Sequence, residues 1–250
     1  MKLLEAYDIL NKNSNRKLKP EEVSFIEEKE AKKNKGGTGL YVEHVCGIPP
    51  GPAPLDCDDG DIKSYKVEYK PRQKCIAPGE LLRVTTISAT PTAAFVNGQP
   101  FLESPLFKKL ESVILEPVYR PADVAVSKWM LHKPILLEYS NSEDKWFYDL
   151  IENRYNILQK RFNEAIREYK AGQRTERDMA QSTNGTLYLL KTEDRYTDYL
   201  IMKKHGGSVD KPICYDGITL IHGYIAFMLT TSLVKKVMEK KGFYSSGGVQ

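Results

Sequence analysis

The run SEDKWFYDLIENRYNILQKRFNEAIREYKAG, from Ser142 to Gly172, leaves the chain little choice but one long helix. It holds no proline, and Phe147, Leu150, Leu158, Phe162 and Ile166 recur along one stripe. Ser142 stands where an N-cap belongs, and Gly172 supplies a C-terminal stop. Segments of strand character flank this helix on both sides. DIKSYKVEYK alternates polar and apolar residues, GELLRVTTISA and SVILEPVY are rich in β-formers, and GTLYLLK and GYIAFML follow the helix. SLVKKVMEKK reads as a closing helix. Strands interleaved with helices, without an internal repeat, predict an α/β fold: a mixed central sheet flanked by helices.

The ends are simpler. Leu3, Leu4, Tyr7 and Leu10 recur at helical spacing, and Pro20 with Glu21 and Glu22 resembles a second helix start, so residues 1–33 are expected to form an N-terminal helical segment. The tail FYSSGGVQ is expected to be loose from about residue 241 to 250.

Composition excludes more than it selects. An apolar fraction of 41% and a charged fraction of 28% describe an ordinary globular chain. A formal charge of +4 permits a polyanionic partner without requiring one. Cys46, Cys57, Cys75 and Cys214 form neither a CxxC pair nor a disulfide framework. Glu5 and Asp8 break the first apolar run, which is wrong for a signal peptide. The late stretch ITLIHGYIAFMLTTSLV is short for a membrane span and carries His222 and Gly223. No membrane association and a cytoplasmic location are expected.

The chemistry concentrates after the proline-rich IPPGPAPLDCDDG, which must be a loop because prolines remove donors and bias their predecessors to extended geometry. In the following DIK, Asp61 and Lys63 stand two apart, which on a strand sends both side chains to one face. Phosphodiester hydrolysis needs charge neutralisation and a hydroxide at neutral pH, and a divalent metal on carboxylates supplies both. Hard Mg²⁺ takes oxygen ligands and keeps several waters, so Asp56, Asp61 and Glu43, the last on a short helix with Leu40 and Gly47, form a sufficient set. Lys63 is placed to orient or deprotonate the attacking water or to hold the scissile phosphate. An acid-x-Lys triplet also occurs by chance on many solvated strand faces. An EF-hand loop is excluded, since its glycine would fall one place later and its closing glutamate is missing.

These residues resemble the MutH family, which joins the methyl-directed mismatch-repair nicking endonuclease to GATC-cutting restriction enzymes within the PD-(D/E)xK nuclease fold. Asn34, Lys35, Gly36, Gly39, Glu43 and Gly47, in NKGGTGLYVEHVCG, reproduce the family's opening motif in register. The family's metal aspartate and its acid-x-Lys carry over to Asp56, Asp61 and Lys63, with a shorter gap and aspartate in place of glutamate, so Asp58 or Asp59 could share the ligand role. A further active-site lysine resembles Lys109, with Lys108 beside it, and the tyrosine that contacts the methyl-sensitive adenine resembles Tyr224. Where the family reads bases through Arg-Pro-Lys, this chain has Lys191, Thr192 and Glu193 with Arg195 close by, which argues against a GATC target. Ala226 and Phe227 replace a lysine pair, leaving Lys203, Lys204 or Arg83 to take its phosphate contacts.

The resemblance implies a nuclease domain over residues 34–240, of restriction-endonuclease-like fold, with two lobes around a DNA-binding cleft. It implies a type II restriction-like, Mg²⁺-dependent endonuclease of double-stranded DNA that leaves 5′-phosphates and acts as a homodimer on a palindromic site. The alternatives are a mismatch-repair nickase switched on by a MutL-type partner and a catalytically silent DNA-binding protein of the same fold.

Overall fold

The computed structural model describes residues 1–16, 37–49, 55–72, 74–120, 128–175, 179, 182–183, 186–187, 199–205, 212–222 and 224–244. The helix start at Pro20, the motif residues Asn34, Lys35 and Gly36, and the prolines of residues 50–54 fall outside them. The helices are α1 (Leu3–Asn13), α2 (Gly37–Cys46), α3 (Ala89–Val96), the single turn α4 (Pro105–Lys108), α5 (Lys145–Lys170) and α6 (Thr231–Lys240). The strands are β1 (Asp61–Lys70), β2 (Cys75–Pro78), β3 (Leu82–Ile87), β4 (Ser112–Tyr119), β5 (Met130–Leu131), β6 (Ile135–Glu138), β7 (Ser182–Thr183), β8 (Thr186–Leu187), β9 (Leu200–His205), β10 (Pro212–Tyr215), β11 (Ile218–His222) and β12 (Tyr224–Leu229). The fold is α/β with a mixed sheet flanked by helices. Among the described residues no helix is long and apolar enough to cross a membrane.

The chain divides into two compact units. The first comprises Met1–Leu82, Leu110–Asn141 and Val234–Gln250. Its sheet runs β2, β1, β4, β5, with β6 also paired to β4. β1 and β4 are parallel, with Asp61 opposite Val113 and Ser64 opposite Glu116, while the other pairings are antiparallel. Strand alternation puts Ile62, Ile114 and Val118 on one face, where they meet Leu3, Ala6 and Leu10 of α1 and Tyr41, Val42 and Cys46 of α2. Burying each large side chain of this cluster contributes roughly 1.5–3 kcal/mol before ordering costs.

Gly60, at the entry to β1, is where this packing is tightest. A Cβ there would lie 2.5 Å from Leu3 Cδ2 and 2.6 Å from the carbonyl oxygen of Ser112. Leu3 can rotate, but the Ser112 carbonyl belongs to β4 and cannot yield cheaply. Gly60→Ala is therefore expected to cost about 1–3 kcal/mol, read as a lower urea midpoint; an unchanged midpoint would show that β1 and β4 are not seated this closely.

The second unit comprises Arg83–Lys109 and Ser142–Leu233. Its sheet runs β3, β12, β9, β8, β7, and β10 and β11 form a separate hairpin. The long helix α5 buries Phe147, Ile151, Tyr155, Leu158 and Phe162. Phe95 of α3 meets Tyr155, Phe162 and Phe227 edge-on, at 5.0, 5.9 and 5.7 Å between ring centroids. Buried Arg154 donates from Nε to the Leu200 carbonyl at 3.2 Å, tying α5 to β9. Ser142 is not the N-cap expected from the sequence: Ser142–Asp144 form a 3₁₀ turn, and Asp144 takes the N-cap position of a helix that begins at Lys145, without a side-chain capping hydrogen bond. At the other end Gly172 has φ +72°, and the N–H groups of Gly172 and Gln173 donate to the carbonyls of Tyr169 and Glu168 at 3.0 and 2.9 Å, a left-handed stop that favours glycine.

Candidate active site

The acidic segment before β1 folds back on itself. Cys57 N–H donates to the Gly60 carbonyl at 3.0 Å, closing a tight turn that lays Asp56 against the first residue of the strand. Asp56 N–H donates to Asp61 Oδ1 at 3.3 Å, and Ile62 N–H donates to Asp56 Oδ2 at 3.1 Å. The tip acids look elsewhere. Leu3 N–H donates to Asp59 Oδ1 at 2.7 Å, and Asp58 N–H donates to the Met1 carbonyl at 3.0 Å, so both fasten the start of α1. Of the three loop acids, Asp56 is the one the structure sets beside Asp61. Lys63 Nζ lies 2.5 Å from Asp61 Oδ2, with the aspartate fully buried and the lysine side chain 15% exposed.

Glu43 reaches the same place from α2. Its carboxyl is raised first by burial, lowered by the Lys63 charge and raised by that of Asp61, which puts it within electrostatic reach of both. A Cβ on Gly39, one turn earlier, would lie 3.7 Å from Glu43 Oε1 and 4.0 Å from Ser64 Oγ, so this face of α2 rests along β1. The helix is fixed at both ends. Arg120 Nη1 donates to Thr38 Oγ1 at 2.8 Å while its guanidinium stacks over Trp129. Gly47, at φ +70°, ends the helix with Ile48 N–H donating to the Glu43 carbonyl at 2.8 Å.

Three carboxyls therefore lie within electrostatic reach of one ammonium, and the imbalance shows. Asp56 is pushed up to about 6, first by burial, then by its side-chain hydrogen bond with Asp61 and by the Asp61 charge. Because the folded value lies above the ordinary 3.8, the unfolded chain releases this proton first, and stability falls as pH rises through the interval between the two. The melting-temperature advantage of Asp56→Asn over wild type, measured without divalent metal, should accordingly grow from about pH 4 to about pH 6 and then level off. A difference independent of pH would show that Asp56 is not held in this way.

Among the described residues no three His, Cys, Asp or Glu side chains are gathered closely enough to hold a metal ion. Instead, Asp61 meets the Lys63 ammonium at Oδ2 and the Asp56 backbone N–H at Oδ1. Hard oxygen donors in surplus over their one cation still fit a divalent ion of the Mg²⁺ kind. Thiol chemistry fits poorly, since burial pushes Cys46 up to about 12 and Cys57 up to about 11.

β1 carries the acid-x-Lys pattern twice, and the surroundings distinguish the copies. Glu68 and Lys70 pair with each other, with Lys66 3.3 Å from the same glutamate, and those lysines hold Glu68 below the usual carboxylate range. They stand roughly 23 Å along the strand from Asp61. Glu116, opposite Ser64 in β4, escaped notice in the sequence. It is fully buried, neither oxygen has a hydrogen-bond partner among the described residues, and burial holds its carboxyl well above the usual range. Its one signal was an acid inside the otherwise apolar VILEPV.

The remaining expected residues belong to the second unit or fall outside the described residues. Lys109 belongs to the second unit, half-buried at the C-cap of α4, with Lys108 exposed beside it. Lys191, Thr192, Glu193 and Arg195 fall outside the described residues. Tyr224 opens β12 and is 39% exposed, not a buried core aromatic. Ala226 and Phe227, by contrast, are fully buried. No family model matches the chain, and no curated protein sequence matches it.

Proposed function

We propose that the chain is a Mg²⁺-dependent endonuclease of double-stranded DNA, restriction-like and of the MutH type. The observation that supports this reading is the contact of Asp61 with both Asp56 and Lys63, with Glu43, from a helix, in electrostatic reach of Asp61 and Lys63. Bound Mg²⁺ would neutralise charge on the phosphate and supply hydroxide at neutral pH. Asp56, Asp61 and Glu43 are the residues that would hold the cation. Lys63 would orient the attacking water or stabilise the scissile phosphate, leaving a 5′-phosphate on the product. The finer architecture belongs to the same reading: a restriction-endonuclease-like fold with lobes around a duplex, Lys109 as an accessory active-site lysine, Tyr224 and the 191–195 segment as base readers, and a homodimer on a palindromic site.

Incubating purified protein with supercoiled plasmid and Mg²⁺ tests this, with mapped ends revealing the site. Linear product without any added protein is the expected result. Nicked circles that need a MutL-type activator would support a repair nickase instead, and retention of DNA without cleavage would leave a silent DNA-binding protein.

A further inference from the structure

Of the three acids assigned to the cation, Glu43 is the least tethered. Asp56 and Asp61 each accept a backbone N–H of their own segment, whereas among the described residues no hydrogen bond or ion pair holds the Glu43 carboxyl. Its place is set by α2, and so by what grips α2. Arg120 follows β4 directly, and its backbone N–H reaches the Val67 carbonyl of β1 at 3.5 Å. Its side chain crosses to the first turn of α2, where Nη1 donates to Thr38 Oγ1 at 2.8 Å. The guanidinium carbon stands 5.4 Å from the centre of the Trp129 ring, and Trp129 meets Tyr41, one turn further along α2, edge-on at 5.7 Å. Thr38, Tyr41 and Trp129 are all buried. Helix electrostatics do not account for this arrangement, because a cation beside a helix N-terminus works against the dipole. Glu80 Oε1, 3.7 Å from Nη2, answers the charge instead. What the guanidinium supplies is a rigid, planar grip. Thr38 precedes Glu43 by about 7.5 Å of helical rise, and Gly39 between them lies against Ser64 of β1. A shift of α2 at Thr38 is therefore carried to the Glu43 carboxyl.

We propose that Arg120 is a positioning residue for the metal site: through Thr38 and Trp129 it sets α2 along β1, and with it the reach of Glu43 towards the cation. This rests on the endonuclease reading and adds to it a residue that acts on the cation only through Glu43. Removing a partner that orients a metal ligand lowers metal affinity or activity by about 10- to 100-fold.

The test follows plasmid cleavage, and Mn²⁺ binding by calorimetry without DNA, in the full-length protein at a temperature where every variant is folded. Thr38→Val keeps the side-chain shape and removes the acceptor, and Arg120→Met keeps the stem and removes the donor. Each should lower cleavage and weaken Mn²⁺ binding by about 10- to 100-fold, while Thr38→Ser, which retains the hydroxyl, should stay close to wild type. In a Glu43→Gln background the same Thr38→Val substitution should change neither quantity further, since the carboxylate it positions has gone. Losses that multiply in that double variant, or Mn²⁺ binding unchanged in both single variants, overturn the positioning role and leave the endonuclease reading intact. A wild-type protein that cleaves no DNA sinks that reading, and the positioning role with it.

Discussion

Asp61→Asn should lower Mg²⁺-dependent cleavage by about a thousandfold or more while the protein melts no lower than wild type. The two halves of this expectation have one cause. Asp61 is fully buried between the ammonium of Lys63 and the carboxyl of Asp56, in a region with more acid than base. An amide keeps an oxygen for the Asp56 N–H and turns its NH2 toward the Lys63 ammonium, a cost that removing one negative charge from a crowded place offsets. It relieves Asp56, which Asp61 holds high, and leaves Glu43 and Asp56 to balance Lys63. The same amide is a poor ligand for a hard divalent ion. Stability retained with function lost is the behaviour of a site held against its own electrostatics. Wild-type cleavage by the variant would remove Asp61 from the metal site, and a fall of many degrees in melting temperature would show that its charge is structural.

Lys63→Ala should do the reverse to stability. Removing one partner of a buried pair leaves the other charged and uncompensated, at a cost of about 3–5 kcal/mol, and cleavage should disappear with it. The double variant Asp61→Asn with Lys63→Ala should recover most of the lost stability and none of the activity. Urea midpoints of the four proteins close this cycle. Additive losses would mean that the contact between Lys63 and Asp61 contributes little, and that the lysine matters only for what it touches in the substrate.

The parts of the fold legible in the sequence were those with a strong period. The α5 stripe and the alternation in DIKSYKVEYK each stand out from their neighbours, and both elements form within a few residues of the expected limits. The start of α5 was misplaced because Ser142 has the right chemistry for a cap, yet a 3₁₀ turn intervenes and hands the position to Asp144. Short elements such as β2 and β10 are arms of local hairpins too brief to show a period, and β9 is set by its pairing with β12, across β10 and β11 in the sequence.

The site was legible in part for a similar reason. Asp61 and Lys63 share a strand, so their spacing is itself geometric information. The choice among Asp56, Asp58 and Asp59 was not decidable from spacing, because it depends on α1, whose backbone N–H at Leu3 takes Asp59. Glu116 was hidden because its isolation is a property of neighbours on other elements.

The first unit takes its residues from three stretches of chain, the last of them Val234–Gln250. Glu43, Asp56, Asp61 and Lys63 all precede the second unit in the chain, but the unit that frames them is not complete until Val234–Gln250 has followed it. Half-made polypeptides of this protein would accordingly carry the acids without the scaffold, and no single cut in the chain would release the first unit as an intact fragment.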